Sequence, residues 1–279
     1  MTQTYAQLHA RKRSVSQLGD VISAMRGVAA ARSQQSRRQL ANVQTYADTV
    51  ADAISQVLSL VPSIPRYSNG HGGAALLLFC AEHGFAGAFS EQILDRATPL
   101  LEGKILLMVG SRGVRLARAR HLNLHWSAPM MSQLSNAGAL ADRVASELYR
   151  LLHTGRISRV DVMHAKPESS QGFEVVLQPL LPLDFERFSK AGTGVPPLLN
   201  LAPQVLLERL AGEYLFAQLN EAIVHSYAAE NLARLQTMTA ARENIAHRLE
   251  TLNGDERLAR QSEITAEIIE LAAGAQALG

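Results

Sequence analysis

The sequence predicts an α/β protein: a Rossmann-like α/β domain inserted between two long terminal helices that pair as an antiparallel coiled coil. Three observations carry this. Both ends of the chain repeat apolar residues at threes, fours and sevens, with almost no helix breakers. The middle alternates short continuous apolar runs with segments of helical period. The helical ends are too long for an ordinary globular core. About 55 residues at 1.5 Å each give roughly 80 Å, and the last 75 or so give more than about 100 Å.

The N-terminal element, expected over residues 5–59, is built on Leu8, Val15, Leu18, Ile22, Met25 and Ala29, then Leu40, Val43, Ala47, Val50, Ile54 and Val57. Only Gly19 and Gly27 interrupt it, and Pro62 and Pro65 end it. In the middle, "AALLLFC" (74–80), "KILLMVG" (104–110) and "RVDVMHA" (159–165) read as strands buried on both faces. Between them, "FSEQILDRATPLLEG", "SRGVRLARARH" and "NAGALADRVASELYRLLHTG" have helical period. "FEVVLQPLLPL" (173–183), joined through "KPESSQG", suggests a hairpin adding an antiparallel strand. Residues 184–202, with Gly192, Gly194, Pro196 and Pro197, read as a linker. Beyond Pro203 the apolar face is Leu206, Leu210, Leu219, Ile223, Leu235, Met238, Ile245, Leu249, Leu252, Ile264 and Ile268. Gly212 and Gly254 are weak points, and "LNGDE" is a candidate kink. The expected domains are 1–60 (N-terminal helix), 70–190 (α/β domain) and 200–279 (C-terminal helix).

A net charge of +2 gives no general argument for nucleic acid. The charge is unevenly placed. Residues 1–45 hold Arg11, Lys12, Arg13, Arg26, Arg32, Arg37 and Arg38 against Asp20 alone, whereas the last third holds Glu243, Glu250, Asp255, Glu256, Glu263, Glu267 and Glu270. Opposite bias suits two helices lying together, and two solvated faces would read the same way. The basic N-terminal helix lacks interleaved aromatics, which argues against nucleic acid. Its Arg- and Ser-rich composition resembles a transit peptide, but its apolar period runs on past any cleavage point. Cys80 stands alone, so no internal disulfide forms, and its strand-end position suggests an inert core thiol.

The search for catalysis assembles no site. There is no phosphate-cradling G-x-x-x-x-G-K-[ST] motif and no H-E-x-x-H, C-x-x-C or G-x-S-x-G. "GFAGAF" (84–89) lacks the dinucleotide spacing and reads as a tight strand-to-helix turn. "GSRGVR" (110–115) would place backbone N–H groups and Arg112 near an anion at a helix start. His121 and His125, four apart, would share a helical face but lack further ligands. No cofactor or metal is expected. A small-ligand-binding α/β adaptor with coiled-coil arms stays open on the residues alone.

Along nearly the whole chain the sequence resembles the gamma subunit of rotary F-type ATP synthases. "VISAMRGVAAARSQQSRRQLANVQTYAD" is similar to that family's N-terminal helix, with Ala24-Met25, Val28-Ala29-Ala30 and Tyr46-Ala47. "FCAEHGFAGAFSEQI" and "GSRG" resemble its central strand ends. "ARQSEITAEIIELAAGAQAL" (259–278) resembles its most distinctive stretch, through Arg260-Gln261 and Ile264-Thr265. The resemblance implies a non-catalytic rotor shaft inside a hexamer of alpha and beta subunits. The α/β domain would lie near the epsilon subunit and the ring of membrane c subunits. It implies a peripheral position on the cytoplasmic face of a bacterial plasma membrane. Met25 and Arg26 would face the lever of a beta subunit, and Arg260, Gln261 and Thr265 the upper catch region of the head. Two departures, Ser23 where a basic residue is common and the turn Glu82-His83-Gly84-Phe85-Ala86-Gly87, suggest a divergent branch such as an alternative ATPase operon encodes.

One stretch of the N-terminal helix is unusual. "AAARSQQSRRQ" (29–39) contains no large apolar residue. Small seam residues there would admit a partner helix closely. A polar outer face would suit a shaft that passes three neighbours in turn.

Overall fold

The computed structural model describes residues 5–61, 72–168, 172–188 and 198–277. Five strands and five α-helices follow in the order α1 (Tyr5–Leu58), β1 (Gly73–Phe79), α2 (Phe89–Ala97), β2 (Lys104–Val109), α3 (Ser111–Ala119), β3 (Leu124–Ala128), α4 (Ala137–His153), β4 (Ile157–Pro167), β5 (Phe173–Leu181) and α5 (Pro203–Ala277). The chain divides into two compact units. One joins 1–29 to 235–279, and the other is 30–234.

In the larger unit the sheet order is β3-β2-β1-β4-β5. The first four strands run parallel, and β5 returns antiparallel along β4, as the hairpin reading expects. The continuous apolar runs have a direct cause: both sheet faces are covered. Ala75, Leu77 and Phe79 point into a core with Val144, Leu148 and Leu151 of α4, Val43 of α1, and Leu215, Leu219 and Ile223 of α5. Leu76 and Leu78, one residue out of phase, point to the other face, against Phe89, Ile93 and Leu94 of α2 and Ala117 of α3. A third cluster joins Val50, Ile54 and Val57 of α1 to Leu207 and Ala211 of α5.

Strand β3 is absent from the sequence reading. Its "LHWSA" is half-exposed at the sheet edge, so it lacks the apolar run that marks β1, β2 and β4. Helix α5 runs as one continuous α-helix through Gly254, so "LNGDE" forms no turn or break. The prolines expected to end α1, and residues 189–197 of the expected linker, lie outside the described residues.

The "GSRG" motif has a packing explanation. Gly110 sits at φ +107°, and a Cβ there would collide with the Cys80 carbonyl. A Cβ on Gly113 would collide with the Cys80 side chain. The two glycines let α3 start directly against the end of β1.

Candidate functional site

In the smaller unit the two helix segments run antiparallel: the earlier the residue on α1, the later its partner on α5. His9 Nδ1 and Lys12 Nζ both lie 2.8 Å from the Glu256 carboxylate. A Cβ on Gly19 would touch Ile245. Leu8, Ala29, Met238 and Leu252 are buried, and Val15, Ile22, Met25, Leu235, Ile245 and Leu249 are half-buried. Three seam expectations fail. Leu18 is exposed, because Gly19 and Ile22 take the inward positions beside it. Ile264 and Ile268 are also exposed. With Glu256 already opposite His9 and Lys12, α5 beyond about residue 260 has no described α1 residue opposite it.

The five expected contact residues all fall in this unit, in two separate groups. Met25 and Arg26 are half-buried on α1, and the Arg26 Nε is buried without a hydrogen-bond partner. Arg260, Gln261 and Thr265 are exposed on α5, and the Thr265 hydroxyl donates back to the Gln261 carbonyl at 2.8 Å. Helix pairing puts Met25 opposite residues near 240, so the groups lie about 30 Å apart at 1.5 Å per residue. Around the second group five large apolar residues, Leu258, Ile264, Ile268, Ile269 and Leu271, are exposed among the equally exposed Glu263, Glu267 and Glu270.

The "AAARSQQSRRQ" stretch, which lies in the larger unit from Ala30 on, divides as the helical period demands. Ser33 and Ser36 are buried, while Gln34, Gln35, Arg37, Arg38 and Gln39 are exposed. On α5, Ala222, Ser226 and Ala229 are buried as well. Further along, the Tyr46 hydroxyl donates to the Glu213 carboxylate, fastening α1 to α5. Burial, and then Glu213, push this phenol up to about 12.

The ends of the strands carry a polar node that the sequence reading lacks. Glu82 follows β1. Its carboxylate accepts from the Ser111 N–H (3.0 Å), the Ser111 hydroxyl (2.6 Å) and the Met130 N–H (2.7 Å). Burial alone would raise its pKa, but these donors outweigh it and hold the carboxyl below its ordinary value. Glu82 therefore occupies the start of α3, the position where the sequence reading expects "GSRGVR" to offer N–H groups to an anion. Arg112 instead pairs with Glu91 at 2.9 Å. Beside them is a recess of about 170 Å³ lined by His83, Phe85, Glu91 and Arg112 among others.

Beneath the node, Glu230 and Arg234 of α5 form a buried ion pair. The Glu82 N–H lies 3.4 Å from Glu230 Oε2, and Arg234 donates to the Gly84 carbonyl. Burial pushes the Glu230 carboxyl up, and Arg234 opposes that. The i,i+4 spacing of this pair is visible in sequence, but its burial is not. Cys80, fully buried, has its thiol raised to about 12 by burial first and then by the nearby carboxylates of Glu230 and Glu91. That is the inert core thiol expected. His121 and His125 do not share a helical face: His121 lies in the turn after α3, and His125 lies on β3 near Glu147. Among the described residues no group of three potential ligands is placed to hold a metal.

A family model described as ATP synthase matches residues 4–278. The chain belongs to the ATP synthase gamma-chain family. Among its relatives, the ATP synthase gamma chain of Chlorobium phaeobacteroides is 27% identical, over 99% of both chains. That of Clostridium acetobutylicum is 24% identical over 96% of both. In solved structures, a chain of the Euglena gracilis mitochondrial ATP synthase OSCP/F1/c-ring assembly superposes with a TM-score of 0.67. It is 12% identical, and the match covers 98% of this chain and 94% of that one. A chain of the Tetrahymena thermophila mitochondrial central stalk and c-ring gives 0.56 at 19% identity, over 79% of this chain and 99% of that one. These likenesses extend to the fold: a five-stranded mixed sheet flanked by long terminal helices. Among the described residues no helix is long and apolar enough to cross a membrane.

Proposed function

We propose that this chain is the central rotor shaft of a rotary F-type ATP synthase. It couples ion translocation through the membrane sector to ATP synthesis or hydrolysis in a head of alpha and beta subunits. The observation that carries this is the end-to-end family match on a fold whose α1 and α5 pair antiparallel. Gamma-chain relatives and rotor-containing structures support the same partners: the alpha and beta head, epsilon and the c ring.

Several finer assignments belong to this proposal. The chain has no catalytic site of its own; the switch from strand to α3 is closed by Glu82, which weakens the alternative of a ligand-binding adaptor. Segments 1–60 and 200–279 act as shaft helices, and 70–190 as the domain nearer the membrane. Met25 and Arg26 face a beta-subunit lever. Arg260, Gln261 and Thr265 face the upper head, where the exposed apolar residues around them would be covered. The complex sits on the cytoplasmic face of a bacterial plasma membrane.

Reconstitution with the matching alpha and beta subunits tests the reading. The expected result is that this chain changes both assembly and the steady rate of ATP hydrolysis. Hexamers that hydrolyse ATP at the same rate with and without it would sink the idea. Deleting residues 260–279 should weaken coupling while leaving the sheet folded; unaltered coupling would remove the proposed upper contacts.

A further inference from the structure

We propose that the buried Glu230–Arg234 pair is a positioning element that keys α5 to the sheet, so that torque passes between helix and α/β domain without the helix turning in its seat. The proposal rests on the rotor reading above.

Next to the pair the buried apolar residues of α5 are small, Ala228, Ala229 and Ala233, with the larger Ile223, Val224 and Tyr227 one to two turns earlier. Apolar contact of this kind is non-directional, and resists turning only through shape. This stretch of α5 makes directional contacts with the α/β domain through the pair and, one turn earlier, through the Tyr227 hydroxyl, which donates to the Ser132 carbonyl at 3.2 Å. Glu230 is 3% exposed and Arg234 7%. Arg234 donates through Nε and Nη2 to the Gly84 carbonyl at 3.4 Å, and through Nη1 to Asn231 Oδ1 at 3.3 Å. Glu230 receives the Glu82 N–H, and the Glu82 side chain in turn holds the backbone N–H groups of Ser111 and Met130. One polar path therefore runs from α5 to the loop after β1, the start of α3 and the segment after β3.

Stability alone does not call for such a pair. A buried ion pair can often be replaced by apolar residues of similar volume at no cost, whereas removing one partner is expensive. Its position fits a mechanical role. It occupies the last turn of α5 before Leu235, where the other compact unit begins.

The test uses the complete ATP synthase, reconstituted in vesicles with this chain either wild type or carrying Glu230→Met and Arg234→Met together. ATP hydrolysis, ion pumping against a gradient and melting of the free chain are measured. The double variant should melt within about 3 °C of wild type, as apolar replacement of a buried pair allows. Ions pumped per ATP under load should fall about tenfold, which corresponds to ~1.4 kcal/mol of lost coupling. A purely structural role would move melting and pumping together. If that double variant does not assemble, Glu230→Gln with Arg234→Gln, which removes both charges and leaves neither buried alone, is read the same way. Equal pumping by wild type and variant overturns the proposal and leaves the rotor reading intact. Failure of the wild-type chain to support any pumping overturns the rotor reading itself.

Discussion

Lys12 and Glu256 meet at 2.8 Å although 244 positions separate them in the chain. With His9 on the other carboxylate oxygen, the contact fixes the register of the two helix segments in the smaller unit. Hydrogen bonds from Lys12 first and His9 second hold the Glu256 carboxyl below its ordinary range. The depressed value means that this contribution is present at neutral pH and is lost as pH falls through the folded-state pKa. Glu256→Gln should therefore lower the melting temperature slightly at neutral pH and not at all in strong acid. High salt should shrink the difference, because the His9 and Lys12 side chains reach solvent. A decrease that salt leaves untouched would show that packing, not charge, sets the register.

His164 makes a second, larger pH prediction. It stands on β4, 1% exposed, with neither ring nitrogen hydrogen-bonded. His225 of α5 faces it at a centroid distance of 5.9 Å and is itself 3.4 Å from Glu221. Burial first, then electrostatic interaction with His225 and with Lys166, depress His164 to about 3, with Glu221 opposing. The unfolded chain takes up this proton near pH 6.5, and the folded chain does not. Stability should be complete above that pH. It should then fall by up to ~1.4 kcal/mol per pH unit as the medium is acidified towards 3. Urea denaturation across this range should show a steep slope in wild type and a flatter one in His164→Leu. Parallel slopes would mean that other groups carry the acid sensitivity.

Glu82→Ala should leave the N–H groups of Ser111 and Met130 without their acceptor, at a cost of about 1–3 kcal/mol. Chemical denaturation would measure this. The same change empties the start of α3, so sulfate should then shift the Ser111 and Met130 amide signals, which it leaves unmoved in wild type. If wild type responds to sulfate equally, Glu82 is not what closes that position.

The uneven legibility of this chain follows from where the forces lie. Strands β1, β2 and β4 are plain in sequence because both their faces are buried, which imposes runs such as Ala75–Phe79. The seam is plain where two helices meet, at Val43, Ala47 and Val50, and misleads where one continues alone, at Ile264 and Ile268. Periodicity reports that a face is apolar, not what covers it. Strand β3 gave no run because Leu124, His125 and Trp126 are only half-buried. The Glu82 node was illegible for a different reason. Ser111 and Met130 are 29 and 48 positions away, and their contributions are mainly backbone N–H groups, which every residue has. The five expected contact residues rest on resemblance. Apart from the Thr265 hydroxyl, which bonds within its own helix, nothing in this chain's own geometry assigns them partners.

The stretch "AAARSQQSRRQ" supports a last prediction. Ser33 and Ser36 are buried, so the small residues form the inward seam. Gln34 and Gln35 are exposed, so they contribute little to the fold of the chain itself. A rotor must leave each of three neighbouring positions in turn, and an apolar outer face would favour one of them. Burying a leucine side chain is worth about 1.5–3 kcal/mol, and each ~1.4 kcal/mol shifts a population tenfold. Gln34→Leu with Gln35→Leu should therefore slow ATP turnover of the assembled complex several-fold. The melting temperature of the free chain should stay within about 3 °C of wild type, as expected for surface positions. Stopped-rotation pauses lengthened at one of the three angular positions would locate the trap. Unchanged turnover would show that this face meets no neighbour during rotation, and that its polarity has some other cause.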